Sequence, residues 1–371
     1  MLDRIKVMKE CNAMMDTLFI DMQPEINEAS HWWERIIADQ LFHEKVRQSR
    51  TDLLVPSWEQ PLGRKVVVTE SIQEYAVCSV DGSQIYPDRH HGLNCFLINS
   101  GTVVLQYGTI PYRALLTTEP AIFTAASFEY TIDLSHDLVN AMRQELELFY
   151  GLQIMRKTYS VEPVVLLLDG SLIFWHIDQQ TDIQNIFLPR YLELLNEMHS
   201  SFLLVASYIS SPRSKELVNL IRLAKLNFDT HSKDARKEFR FCTDATLMHH
   251  FLSYGARSII FKSNAHITKK YESYIAPYFF YMHCGDEIAR VEIPAWIAHD
   301  ENKVNTVMQC ILDQVEKGYG YPIALAEAHE QAVVKGVDRE FFITLLQHYA
   351  IDYKKNFHIS KKLYKKRHAQ I

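Results

Sequence analysis

Two tripeptides in this chain could do chemistry: Asp81-Gly82-Ser83 and Asp169-Gly170-Ser171. Each follows an apolar run of strand character, Tyr75-Ala-Val-Cys-Ser-Val80 before the first and Val164-Val-Leu-Leu-Leu168 before the second. An aspartate just past a strand end, followed by glycine and serine that let the backbone turn closely, can serve as a turn cap or as an oxygen ligand. Neighbouring parallel strands would bring the two acids side by side. Between them in the chain, a helical segment over about 135–157 carries Glu145 and Glu147. Leu138, Met142, Leu146, Phe149 and Leu152 mark its apolar face; at about 100° per residue, Glu145 falls near that face and Glu147 near the opposite one. Periodicity therefore favours Glu145 as the inward acid, with Glu147 kept as the alternative. Three carboxylates from a strand, a helix and a second strand make a site for one or two hard divalent ions, which prefer oxygen ligands and in phosphoryl transfer activate water and stabilise the leaving oxygen.

The elements that must position these acids follow from the patterning. Lys65-Val-Val-Val and the run from Tyr75 read as strands. Asn94-Cys-Phe-Leu-Ile98 and Thr102-Val-Val-Leu-Gln-Tyr107 read as a hairpin about a turn at Asn99-Ser-Gly101. The helix over 135–157 leads to the buried strand before Asp169, an amphipathic segment over 183–199 leads to Ser201-Phe-Leu-Leu-Val-Ala206, and a further helix begins near Ser214 after Pro212. Strands that alternate with helices of this length imply an α/β fold: a mixed central sheet whose later strands are parallel and covered by helices. Apolar positions at helical spacing in residues 1–50, broken near Pro24, predict two helices. The expected organisation is an N-terminal helical arm over 1–64, a main domain over 65–345 with its core at about 70–225 and a helical C-terminal part, and a basic tail over 346–371.

Composition narrows the class. With 371 residues, 47% hydrophobic and 23% charged, the chain is globular, and only 12 glycines and 12 prolines leave little material for long structureless loops. The net charge is −6, yet residues 354–371 hold seven lysines and arginines and no acid, which leaves −13 on the rest. A basic tail on an acidic body suits a polyanion held beside a carboxylate site, and equally a solvated terminus. Asp3, Arg4, Lys6, Lys9 and Asp16 interrupt every apolar run at the N-terminus, so neither a signal peptide nor a membrane span is expected, and the expected location is the cytoplasm. Six scattered cysteines without a C-x-x-C pair argue against zinc fingers and a disulfide framework. There is no G-x-x-x-x-G-K-[ST] and no G-x-G-x-x-G after a strand, so nucleotide hydrolysis would need another chain. The adjacent pairs His90-His91 and His249-His250 lack the i, i+4 spacing of a zinc helix.

The sequence resembles the NurA nuclease family. The resemblance runs through Val80-Asp81-Gly82-Ser83; the acidic helix; Leu168-Asp169-Gly170-Ser171; Tyr208-Ile-Ser-Ser-Pro-Arg-Ser-Lys215; Thr243-Asp244-Ala; Gly255-Ala-Arg-Ser258; Arg290-Val-Glu-Ile-Pro294; and Gly320-Tyr-Pro322 with Ala328-His329. It covers roughly residues 70–345. It implies an RNase H-like core and a manganese-dependent DNA nuclease (magnesium being the alternative ion) that acts as a 5′-to-3′ exonuclease, with single-strand endonuclease activity also found in the family. It further implies a ring-like homodimer docked on HerA, a hexameric DNA-translocating ATPase, in end resection. Carried over, the metal ligands would be Asp81, an acid of the helix (Glu145 or Glu147) and Asp169, with His329 near the scissile phosphate. Arg213, Ser214 and Lys215 stand at an expected strand-to-helix junction that would suit a phosphate. Lys262 and Arg290 are further candidate phosphate contacts, and Tyr321 a candidate neighbour of the site. The competing readings are a non-catalytic DNA-binding adaptor of a translocase, in which the acids are turn caps, and another RNase H-like nuclease or recombinase.

Overall fold

Alternation along the buried strands sets the architecture. In a computed structural model of the chain, the described residues are 2–19, 21–67, 71–88, 94–108, 113–128, 133–158, 162–178, 181–229 and 235–353; the basic tail from 354 onward and His90-His91 lie outside them. Helices α1 (Arg4–Ala13), α2 (Met15–Leu18), α3 (Gln23–Ala38) and α4 (Phe42–Gln48) precede the short strands β1 (Ser57–Trp58) and β2 (Val66–Val67). The main sheet begins with β3 (Tyr75–Ile85), β4 (Cys95–Tyr107) and β5 (Arg113–Thr124). Then come α5 (His136–Lys157), β6 (Val164–Asp169), α6 (Thr181–Ser200), β7 (Leu204–Ile209), α7 (Glu216–Lys225) and α8 (Asp244–Phe251). Two short strands, β8 (Ala256–Arg257) and β9 (Phe261–Lys262), lead to the hairpin of β10 (Pro277–His283) and β11 (Ile288–Pro294). The chain closes with α9 (Ala295–Ala298), α10 (Glu301–Lys317), α11 (Ile323–Ala332) and α12 (Gly336–Asp352).

The strand order is β1-β9-β10-β11-β7-β6-β3-β4-β5. β3, β4 and β5 form an antiparallel meander, while β6 runs parallel to β3 and β7 parallel to β6. This is the RNase H-like core, a mixed sheet with helices on both faces, extended on its far side by the β10–β11 hairpin. Both faces of β6 are buried, which is why it reads as an unbroken apolar run. Leu166 and Leu168 pack under α5 and α6 with Leu148, Leu152, Phe187 and Tyr191. Val165 and Leu167 pack on the other face against Val307 and Ile311 of α10 and Leu325 of α11. Side chains alternate along a strand, so Asp169 at the end of β6 takes the face of α10 and α11. In β3, Val77 lies on that face and Cys78 on the other, which puts Asp81 beside Asp169.

Three sequence expectations change. The strand holding Asp81 does not end there: β3 runs on to Ile85, and it is the pairing with β6 that stops, at Val80 opposite Leu168. Asn99-Ser-Gly101 is not a hairpin turn, because β4 passes through it without a break. The helical pattern does break near Pro24, which sits in the first turn of α3, where its missing N–H leaves no bond unmade, but the described residues of 1–50 form four helices instead of the expected two. Of the arm, α3 and α4 pack Trp33, Ile36 and Phe42 into a core shared with α7 and α8, whereas α1 buries nothing. Cys78, Cys242, Cys284 and Cys310 are buried free thiols; Cys11 is exposed and Cys95 half-buried. Among the described residues, no helix is long and apolar enough to cross a membrane.

Candidate active site

Helix α5 starts where Ser135 accepts from the Leu138 amide at 3.2 Å, a side-chain cap on an otherwise unpaired N–H. It is buried in two directions. Leu138, Ala141, Leu148 and Leu152 face α6, and Glu145 shares that side, where Arg190 of α6 holds its carboxylate at 3.3 Å. Arg143, Glu147 and Gly151 recur every four residues and so stack on one row. That row faces the sheet, since a Cβ on Gly151 would meet Leu166 of β6 at 2.8 Å. Glu147, not Glu145, therefore meets the aspartates. The apolar stripe in the sequence divides between the interface with α6 and, through Met142 and Leu146, the β4 residues Phe96 and Ile98, while the row of Arg143, Glu147 and Gly151 is polar and small and leaves no hydrophobic signal.

Gly82 makes the meeting between the two faces of the sheet. A Cβ there would stand 2.6 Å from Arg143 Cγ and 2.9 Å from Glu147 Oε1, so the bare glycine admits both side chains over β3. Arg143 Nη1 donates to Glu147 Oε1 at 2.6 Å and to the Gly82 carbonyl at 3.3 Å, and lies 3.9 Å from Asp81 Oδ1. Asp81 Oδ1 accepts from the Gly82 amide at 2.8 Å, and its Oδ2 lies 2.8 Å from His329 Nδ1. Tyr321 donates its hydroxyl to Asp169. Among the described residues no three His, Cys, Asp or Glu side chains stand as a ready-made coordination cage; Arg143, His329 and Tyr321 hold the oxygens instead.

Crowded negative charge shows in the acidities. Burial, and then the charges of Asp81 and Asp169 acting against Arg143, pushes the Glu147 carboxyl up to about 8. Asp169, at the exposed end of β6, is raised by lost hydration and by Asp81. An all-oxygen set that resists its own ionisation is what a hard cation relieves, so these residues fit a divalent ion.

His329 is placed by contacts that sequence reading missed. Ser83 Oγ donates to the Ala332 carbonyl at 2.5 Å, and Asn99 Nδ2 to the Ala332 and Gln331 carbonyls at 2.8 and 3.3 Å. These are C-terminal carbonyls of α11, which lack partners within the helix. Gly101 lets α11 lie on the sheet: a Cβ there would meet Ala332 N at 2.5 Å and Ala328 O at 2.6 Å. The turn-like residues of 99–101 are thus the seat of a helix. His329 itself is 62% exposed.

The candidate phosphate contacts separate. Arg213 is exposed before α7. Ser214 Oγ is bonded to Tyr281 Oη at 2.7 Å, and Lys215 Nζ donates to the Arg240 carbonyl. Lys262 lies on β9, four strands from β6, over the Tyr278 ring. Arg290 is buried and spends its guanidinium on Glu216 at 2.6 Å and Glu292 at 2.8 Å, so it is not a surface cation for phosphate. Glu292 Oε2 in turn accepts from Ser171 Oγ at 2.7 Å and from the Leu172 amide at 2.8 Å, which fixes the turn after Asp169. Asp244 caps α7 through the Leu217 and Val218 amides. The signal for Arg143 was its i, i+4 spacing to Glu147; nothing in the sequence pointed to Asn99.

Fold and site together define an α/β protein with an RNase H-like core and an acidic centre where two parallel strands part. The chain belongs to the NurA family: the NurA domain matches residues 75–334. No curated protein matches it. Among solved structures, a crystal structure of NurA is 10% identical over 93% of this chain and 98% of its own, with TM-score 0.42. A NurA structure bound to dAMP and manganese is 12% identical over 90% and 94%, with TM-score 0.38.

Proposed function

We propose that this protein is a metal-dependent DNA nuclease whose metal ligands are Asp81, Glu147 and Asp169. The observation that carries the reading is the convergence of these three acids from β3, α5 and β6, with Asp81 further engaged by His329 at 2.8 Å. Family membership supports it, and manganese is the proposed ion, as held by NurA structures. Bound at such acids, divalent ions polarise phosphoryl oxygens and make water a nucleophile near neutral pH. Each side chain has its own task. Arg143 favours the charged form of Glu147 against burial. Tyr321 orients Asp169 through its hydroxyl. His329, with Nδ1 on Asp81, keeps Nε2 free to pass a proton to the leaving oxygen. Arg213 contacts the backbone phosphate of the strand.

The finer reading is 5′-to-3′ exonucleolytic and single-strand endonucleolytic cleavage in end resection, by a homodimer docked on a HerA-type ATPase. Family membership and the lack of a phosphate loop in this chain support that division of labour. The test is linear DNA labelled at the 5′ or 3′ end, incubated with manganese, magnesium or chelator. Manganese-dependent loss of substrate that Asp81→Asn abolishes, with DNA binding kept, is expected. Intact DNA even with a matched HerA-type ATPase would overturn the reading in favour of an adaptor.

A further inference from the structure

A cavity of about 530 Å³ opens beside the acid centre, and its wall includes Gly170 and Ser171, the two residues that follow Asp169. The Cα of Gly170 lies about 3.8 Å from that of Asp169, so the cavity is within one nucleotide's reach of a phosphate held at Asp169. Its lining is largely apolar, from Leu54, Trp175, Ile209 and Pro212, and the Trp175 indole is 43% exposed. Of the charged residues that line it, Arg290 and Glu216 are each only 3% exposed. Arg290 Nη2 and Glu216 Oε2 have no hydrogen-bond partner among the described residues. A buried polar atom left unpaired costs free energy, and here a donor and an acceptor are both left so at one cavity.

We propose that this cavity binds an unpaired nucleobase of the strand entering the acid centre, a specificity site that rests on the nuclease reading above. An indole face takes any base by stacking, and the adjacent donor and acceptor match the hydrogen-bonding edge of a base. Arg290 is not free to take a phosphate, because it is already shared between Glu216 and Glu292. A paired base has its edge covered by its complement, so the nucleotide seated here is single-stranded or flipped out of the duplex. Exposed Arg213, on the same cavity, contacts the phosphate of that nucleotide's neighbour.

Two measurements on the full chain test the site, with Trp175→Ala as the variant since its partly exposed side chain leaves the core intact. In the first, with chelator present, dAMP and 2-deoxyribose 5-phosphate are titrated separately. The wild type should bind dAMP on the order of tenfold more tightly, and Trp175→Ala should lose the difference; equal affinities in the wild type overturn the site whether or not the chain cuts DNA. In the second, single-stranded oligonucleotides carrying one abasic residue at successive positions are digested in manganese. Slowing of about tenfold at one fixed position from the scissile bond, absent in Trp175→Ala, is expected. Even cleavage of every abasic substrate overturns the base site while leaving the nuclease reading standing.

Discussion

Two groups of carboxylates flank the end of β6, and they are built in opposite ways. Glu216, Glu292 and Asp244 lie deep beside β11, and their charges are met by Arg290, Tyr281 and backbone amides. Asp81, Glu147 and Asp169 lie where β3 and β6 part, with one arginine among three acids and an exposed histidine at the rim. The first group is knitted by hydrogen bonds to Arg290, Tyr281, Ser171 and backbone amides and shapes the chain: it caps α7 and pins the turn after Asp169. The second has Arg143 as its arginine and reaches solvent at Asp169 and His329. Acids alone do not mark a site; a set that reaches solvent does.

The comparison breaks most sharply if the open acids prove dispensable. Asp81→Asn or Asp169→Asn should lower DNA cleavage by about a thousandfold or more, several kcal/mol of transition-state stabilisation, without lowering the midpoint of thermal unfolding. Retained cleavage would return these acids to turn caps. The opposite pattern is expected of Arg290→Met, which strands Glu216 and Glu292 without their cation. Urea unfolding should show a loss of about 3–5 kcal/mol, and a loss below about 1 kcal/mol would mean that the buried group is not held together by its charge balance.

Placement of the rim comes next. Gly101→Ala forces the Ala328–Ala332 backbone off the sheet and shifts His329, so cleavage should fall by about a hundredfold while circular dichroism stays unchanged. Undiminished cleavage would show that His329 needs no such seat. The last effect is one of pH. Glu147, with an ordinary value of 4.5, is pushed up to about 8, so between those values the folded chain holds a proton that the unfolded chain has released. Metal-free stability should therefore fall as pH rises from 5 to 9. Glu216, pushed up to about 7, contributes with the same sign over a narrower window. The midpoint of thermal unfolding should fall steadily over that range. Manganese at pH 9 should reverse the part from Glu147, and Glu216→Gln should remove the other part. A profile that rises with pH, or no effect of manganese, would separate the ion from Glu147.

Much of the frame is legible in the residues. The run of Val164 to Leu168 announces a strand buried on both faces, and the spacing of strands and helices announces a parallel segment that brings Asp81 and Asp169 together. Helix α5 keeps its expected bounds to within a residue. Errors gather where one residue type serves two purposes. Asn99 and Gly101 carry turn chemistry but are used to cap and seat α11 from within a continuous strand. Glu145 sits on the apolar stripe of α5, but at its place on that stripe it meets Arg190 of α6. Arg290 is a cation in a motif-bearing strand, and packing buries it between two acids.

The sequence by itself determined the two strands that carry Asp81 and Asp169, the helix between them, and the closeness of the two aspartates on neighbouring parallel strands, because these follow from periodicity and chain order. Only the tertiary structure decided which glutamate joins them, which arginine holds that glutamate, and which acids are neutralised. Those outcomes depend on which of two buried faces of a helix meets which neighbour, and on the bare backbone at Gly82 and Gly101 that lets side chains and a helix approach the sheet.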